Sequence, residues 1–184
     1  EPLLNKRFPE LLDFLLAIGK HDLSISFVTN GTMLNPELIQ KLKQFGSCDI
    51  EVSLESIKDN NHYIRQGSNT EQVLKNIQWL CEQQKDTFHI VLRSVPQLLN
   101  INNYDQYILW AWNRGLPIQS IPLTYPDYLQ ISVLPLELRK TFIPRYQAVK
   151  ESITSSGINS LATGRNTGTL DITLRRECDT MITM

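Results

Sequence analysis

The sequence predicts an α/β fold built on a parallel sheet, and more narrowly a partial, TIM-like (βα) barrel. Two observations carry this. Over residues 1–125, segments with a helical apolar period alternate with short strand-like segments, joined by connections of a few residues, and repeated βα units imply parallel strands with right-handed crossovers. The second strand segment also places Glu51, Ser53 and Glu55 on one face. Strands of a doubly wound sheet are buried on both faces and read as continuous apolar runs, so a barrel with a wet interior suits that polar row better.

The elements follow in order. Phe8, Leu11, Leu12, Leu15 and Ile18 share one face of a helix predicted from about Lys6 to Ile18, stopped by Gly19. Ser24 to Thr29 reads as a strand broken by the Asn30-Gly31 turn. Asn35-Pro36-Glu37 supplies a cap, a first-turn proline and a carboxylate for a helix through Phe45, closed by Gly46. Cys48 to Glu55 alternates strictly, with Ile50, Val52 and Leu54 opposite the polar row. Ser68-x-x-Glu71 reads as a capping box for a helix that buries Val73, Ile77, Leu80 and Cys81. Phe88 to Val95 is the third strand, with His89, Val91, Arg93 and Val95 on one face. Asn103-x-x-Gln106 is expected to cap a helix through Trp112, ended by Gly115 and Pro117, and Ile118 to Leu123 is a short fourth strand. Residues 126–155 form an extension with an amphipathic helix from Leu136 to about Ser152. Residues 156–184 read as an irregular tail with at best a strand at Leu170 to Leu174.

Composition narrows the function classes. With 41% hydrophobic and 20% charged residues among 184, the chain is globular rather than disordered. A formal net charge of −1 argues against binding nucleic acid or an anionic membrane through bulk charge. The longest apolar stretch, Leu11 to Ile18, is interrupted by Asp13 and falls short of the roughly 18 residues that span a bilayer. Cys48, Cys81 and Cys178 are odd in number and far apart, which fits neither a disulfide framework nor a metal knuckle and favours a reducing cytoplasm.

Ligands of parallel α/β folds sit beyond the carboxyl ends of the strands. Polar residues stand there at Glu1, at Thr29-Asn30-Gly31, at Ser53 and Glu55, and at Arg93. Arg65-Gln66-Gly67-Ser68 adds a guanidinium and helix N–H groups suited to a carboxylate or phosphate. Arg93 either lines the cavity or pairs with Glu51 or Glu55.

These residues, in this order, resemble the core of the radical S-adenosylmethionine (AdoMet) enzymes, most nearly the variants with a short twitch-type C-terminal segment. Glu1-Pro2 is similar to the end of the family's Gly-Gly-Glu-Pro motif, and Thr29-Asn30-Gly31-Thr32 and Val52-Ser53-Leu54-Glu55-Ser56 to two of its strand ends. Arg65-x-Gly67 followed by Val73-Leu74-x-Asn76-Ile77 is similar to the segment beyond. The resemblance covers about residues 1 to 95.

It implies AdoMet as ligand. Glu1 would meet the amino group, Ser53 with Glu55 the ribose or methionyl end, and Arg65 the carboxylate, while Thr29, Asn30 and Arg93 would line the AdoMet or substrate cavity. The family's [4Fe–4S] cluster is held by a Cys-x3-Cys-x2-Cys loop after a first strand, and neither that loop nor that strand is in this sequence. The expectation is therefore a barrel missing its first strand, a fragment inactive alone, whose parent cleaves AdoMet reductively to start radical chemistry on an unknown substrate. No metal ligand or catalytic residue is expected within it. The alternative is a cluster-less α/β module that binds a small molecule or partner. An edge left open at Ser24 to Thr29 by a missing strand would favour self-association or coverage by the tail. Thr180-Met181-Ile182-Thr183-Met184 resembles the opening of the β-galactosidase α-peptide of cloning vectors, which would make the end of the chain non-native.

Overall fold

The structure, a computed structural model, describes residues 1–121, 123–156, 175–176 and 178–183. Strands β1 (Ser24–Thr29), β2 (Ser47–Ser53), β3 (Phe88–Ser94) and β4 (Ile118–Ser120) form one sheet in the order 1-2-3-4, every neighbour parallel. Helices α1 (Arg7–Ala17), α2 (Pro36–Leu42), α3 (Asn60–Ile64), α4 (Thr70–Glu82) and α5 (Ile101–Trp112) alternate with them, and α6 (Leu136–Lys140) and α7 (Ile143–Ser156) follow.

The alternation in β2 and β3 gives the sheet two unlike faces. Cys48, Ile50, Val52, Phe88, Ile90 and Leu92 are buried in one cluster with Leu38, Ile39 and Leu42 of α2, Val73, Ile77 and Leu80 of α4, and Ile101 and Ile108 of α5. The opposite row, Asp49, Glu51, His89, Val91 and Arg93, stays partly exposed. Helices therefore cover one face and leave a polar face open, which is the partial βα barrel expected from the sequence.

Several boundaries differ from expectation, each for a local reason. Strand β2 ends at Ser53 rather than Glu55, because the chain turns inward there and Asn61 Oδ1 accepts from the Glu55 N–H at 2.9 Å. The residue that caps α4 is Asn69, whose Oδ1 accepts from Gln72 N at 3.0 Å, so the Ser68 box is displaced by one residue. Helix α5 starts at Ile101, with Asn100 at its N-cap position instead of Asn103. The single helix predicted from Leu136 breaks at Thr141 and Phe142 into α6 and α7. Helix α1 buries only Leu12 of its predicted stripe, and Leu11 and Ile18 are each 51% exposed.

The last helix is fastened to the barrel through α5. Arg145 donates to both carboxylate oxygens of Asp105, at 3.0 and 2.6 Å, and Tyr146 Oη donates to Ile101 O at 3.0 Å. Residues 178–183 are helical, with Cys178 and Met181 buried in the main core cluster. The strand expected at Leu170 to Leu174 lies outside the described residues.

Candidate ligand-binding site

A cavity of about 610 Å³ opens beyond the carboxyl ends of β1 and β2, walled by Asn30, Thr32, Glu55, Arg65, Ser68 and Gln72, with Ile64, Gln66, Gly67 and Asn69 completing it. Most of the lining residues carry polar side chains, their stems and Ile64 adding apolar surface, and the volume lies in the range of small-molecule sites. Of the residues expected at the site, Asn30, Glu55 and Arg65 meet here.

Glu1 and Thr29 act one layer behind. Thr29 is buried on the helix-facing row of β1, and its hydroxyl donates to Glu1 Oε1 at 2.8 Å while accepting from Gly31 N at 3.1 Å. Glu1 Oε2 accepts from Asn30 N at 2.7 Å. Asn30 Oδ1 in turn accepts from the Thr32 N–H and hydroxyl, at 2.9 and 2.7 Å. From the far side, Asn76 Nδ2 of α4 donates to Gly31 O at 2.7 Å. Gly31 has φ +69°, and a Cβ there would stand 2.8 Å from Val52 Cγ1, so this turn requires glycine for its angle and for its space. The Glu1 carboxylate is thus engaged in shaping the turn that presents Asn30 and Thr32 to the cavity.

Glu55 is 3% exposed. Its Oε1 accepts from Arg65 Nε at 3.1 Å and lies 3.0 Å from Nη2, and its Oε2 accepts from Val95 N at 2.6 Å. Burial pushes the Glu55 carboxyl above its ordinary value, and the Val95 N–H and the Arg65 guanidinium pull it back. Arg65 keeps about a third of its side chain exposed, at the cavity wall. A guanidinium held along one edge leaves further donors for an anion.

Ser53 and Arg93 stand elsewhere, paired in register on the open face of the sheet. The Arg93 guanidinium is joined to Glu51, which decides between the two carboxylate partners considered for it. Of the cavity residues not singled out from the sequence, Gln72 has no signal apart from polarity, whereas Thr32 belongs to the Thr29-Asn30-Gly31-Thr32 motif of the resemblance. The buried amides Asn61 and Asn100, which fix the backbone at Glu55, belong to none of the sequence motifs. Asn76 did have a signal, since it belongs to the Val73-Leu74-x-Asn76-Ile77 segment of the resemblance.

Residues 1–95, more than half of the chain, match the family model of the Radical SAM superfamily. Compared with curated proteins, the chain matches none. The family implies AdoMet and a [4Fe–4S] cluster, and the residues present fit the two differently. The polar cavity with the Arg65 guanidinium at its wall suits an amino-acid-bearing nucleoside. Cluster ligation does not fit: among the described residues no group of three or more His, Cys, Asp or Glu is placed to hold a metal, and the buried Cys48 thiol is pushed up to about 12. On the match over residues 1–95 and the parallel half-barrel that carries it, the chain belongs to the Radical SAM superfamily.

Proposed function

We propose that this chain is the AdoMet-binding portion of a twitch-type radical AdoMet enzyme, a fragment whose cluster-binding cysteines lie outside these residues and which is inactive by itself. The supporting observation is the cavity at the strand ends with Arg65 in its wall. When bound, AdoMet supplies the radical that abstracts hydrogen from a substrate. The chain's own residues bind and orient it. Arg65 takes the methionyl carboxylate, Asn30 and Thr32 contact the ligand from the Gly31 turn, and Glu1 and Thr29 keep that turn in shape. Outside the cavity wall, on the open sheet face, Ser53 meets the ribose or methionyl end of a ligand that extends over the sheet, and Arg93 meets the unidentified substrate.

The scattered cysteines support a cytoplasmic setting. Among the described residues no helix is long and apolar enough to cross a membrane. The open edge of β1 favours pairing with a second copy. Calorimetric titration with AdoMet tests the reading: saturable binding is expected, weakened about tenfold or more in Arg65→Ala, in line with the loss of one charge-assisted contact. No heat at millimolar AdoMet would count against it.

The lack of fitting cluster donors also supports a second reading, a cluster-less module that binds a small molecule or partner without catalysis. The sequence adjoining Glu1 in the parent gene discriminates the two. Three closely spaced cysteines there support the enzyme, and an intact reading frame without them supports the module.

A further inference from the structure

Glu55 looks from the sequence like a ligand contact, yet its surroundings assign it another task. Both carboxylate oxygens are occupied from within the protein, Oε1 by the Nε and Nη2 side of Arg65 and Oε2 by Val95 N. Its backbone is clamped as well. Asn61 Oδ1 accepts from Glu55 N at 2.9 Å, and Asn100 Nδ2 donates to Glu55 O at 3.0 Å and to Val95 O at 3.1 Å. Asn61 and Asn100 are fully buried, and each amide has a second anchor: Asn61 Nδ2 donates to Thr70 Oγ1 at 3.2 Å, and Asn100 Oδ1 accepts from Gln97 N at 2.8 Å. A buried polar network satisfied this fully is rigid, whereas a long arginine side chain at a cavity wall has many rotamers to lose. Arg65 is therefore the flexible member of a fixed frame, and Glu55 is its tether.

We propose that Glu55, supported by the buried amides of Asn61 and Asn100, is a positioning residue: it holds one edge of the Arg65 guanidinium so that the other meets the carboxylate of the ligand's amino-acid portion. The inference rests on the reading that this cavity takes AdoMet. It assigns Glu55, Asn61 and Asn100 no contact with the ligand and makes recognition of the amino-acid end dependent on them. A bidentate-capable guanidinium held in advance loses less freedom on binding than a free one, so the tether acts on the carboxylate-bearing part of the ligand alone.

Two ligands isolate that part. S-adenosylhomocysteine and 5′-methylthioadenosine share the adenosyl thioether, and only the first carries the amino acid. Their dissociation constants are measured by equilibrium dialysis for the unaltered chain and for Glu55→Gln, Asn61→Ala, Arg65→Lys and the Glu55→Gln/Arg65→Lys double variant, with thermal midpoints read alongside. The unaltered chain is expected to prefer S-adenosylhomocysteine by about tenfold or more, as a charge-assisted pair gives. Glu55→Gln and Asn61→Ala should lose most of that preference while 5′-methylthioadenosine binds as before, and the double variant should bind no worse than Arg65→Lys alone. A purely structural role would lower both affinities together. The inference is overturned if Glu55→Gln and Asn61→Ala keep the preference that Arg65→Lys loses, or if Arg65→Lys keeps it too. Should Asn61→Ala fail to fold, the isosteric Glu55→Gln decides. Binding of neither ligand by the unaltered chain overturns the AdoMet reading itself.

Discussion

At Glu55, burial and pairing act in opposite directions, and pH separates them. Burial raises its carboxyl pKa above 4.5 in the folded chain, so between that value and the raised one the folded state holds more proton than the unfolded state. Stability contributed by this group is full at lower pH and falls as pH climbs through that window. Urea unfolding from pH 4.5 to 7 should show the stability difference between the native chain and Glu55→Gln shifting toward the variant with rising pH, then levelling; a constant difference would rule the argument out. Gly31 offers a second residue-scale test. Gly31→Ala adds a Cβ 2.8 Å from Val52 Cγ1 at φ +69°, and strain plus overpacking should cost about 2–4 kcal/mol in equilibrium unfolding. The same substitution displaces Asn30 and Thr32, so AdoMet affinity falls with it. The Asn-Gly dipeptide announced this turn in the sequence. The need for space beside Val52 became visible only once β2 was packed beneath it.

Between elements, short-range patterns were legible and long-range partners were not. The apolar periods placed β1, β3 and β4 and the helices between them, because face selection follows from local spacing. The two displaced caps, at Ser68 and Asn103, share a common reason. Asn103 and Ser68 matched capping patterns, but Asn69 caps α4, and the side chain of Asn100 spans from α5 to the ends of β2 and β3. An amide that satisfies backbone groups some 45 residues away leaves no periodic trace. The same holds for Asp105 and Arg145, a pair that ties α5 to α7 over 40 residues. Asp105 is 8% exposed and Arg145 about a third, so Asp105→Ala should cost about 2 kcal/mol after allowance for solvent at the arginine. Hydrogen exchange locates the effect: amides of α7 should lose protection before those of β2 and β3. Uniform loss across the chain would mean that α7 is not a separately anchored element.

For the molecule as a whole, the proposed self-association through β1 can be argued from its outer side. Among the described residues β1 pairs with β2 alone, and Leu4, Leu11, Phe14 and Ile18 before it, with Leu23 and Val28, leave large apolar side chains in water, Phe14 at 59% and Leu4 at 57%. The stripe of α1 is correspondingly split: Leu12 is buried and Phe8 and Leu15 pack against the core, while Leu11 and Ile18 stay exposed. Six partly exposed apolar side chains, at about 25 cal/mol per Å² of area removed from water, supply several kcal/mol toward association, and the unpaired N–H and C=O groups of a six-residue strand supply direction. A second copy related by a two-fold axis can add its own β1 antiparallel to this one and bury both apolar rims at once. Sedimentation velocity should therefore show the mean mass rising toward a dimer with concentration, with little sensitivity to salt, because the contact is apolar rather than ionic. Val28→Lys puts a charge on the free edge and Phe14→Glu puts one in the rim. Each should return the chain to monomer while leaving its thermal midpoint within a few degrees, since both side chains are already substantially exposed. A native chain that stays monomeric at about 100 µM, a concentration at which even a 10 µM dimer would be mostly formed, would sink the dimer and leave β1 an edge that tolerates water.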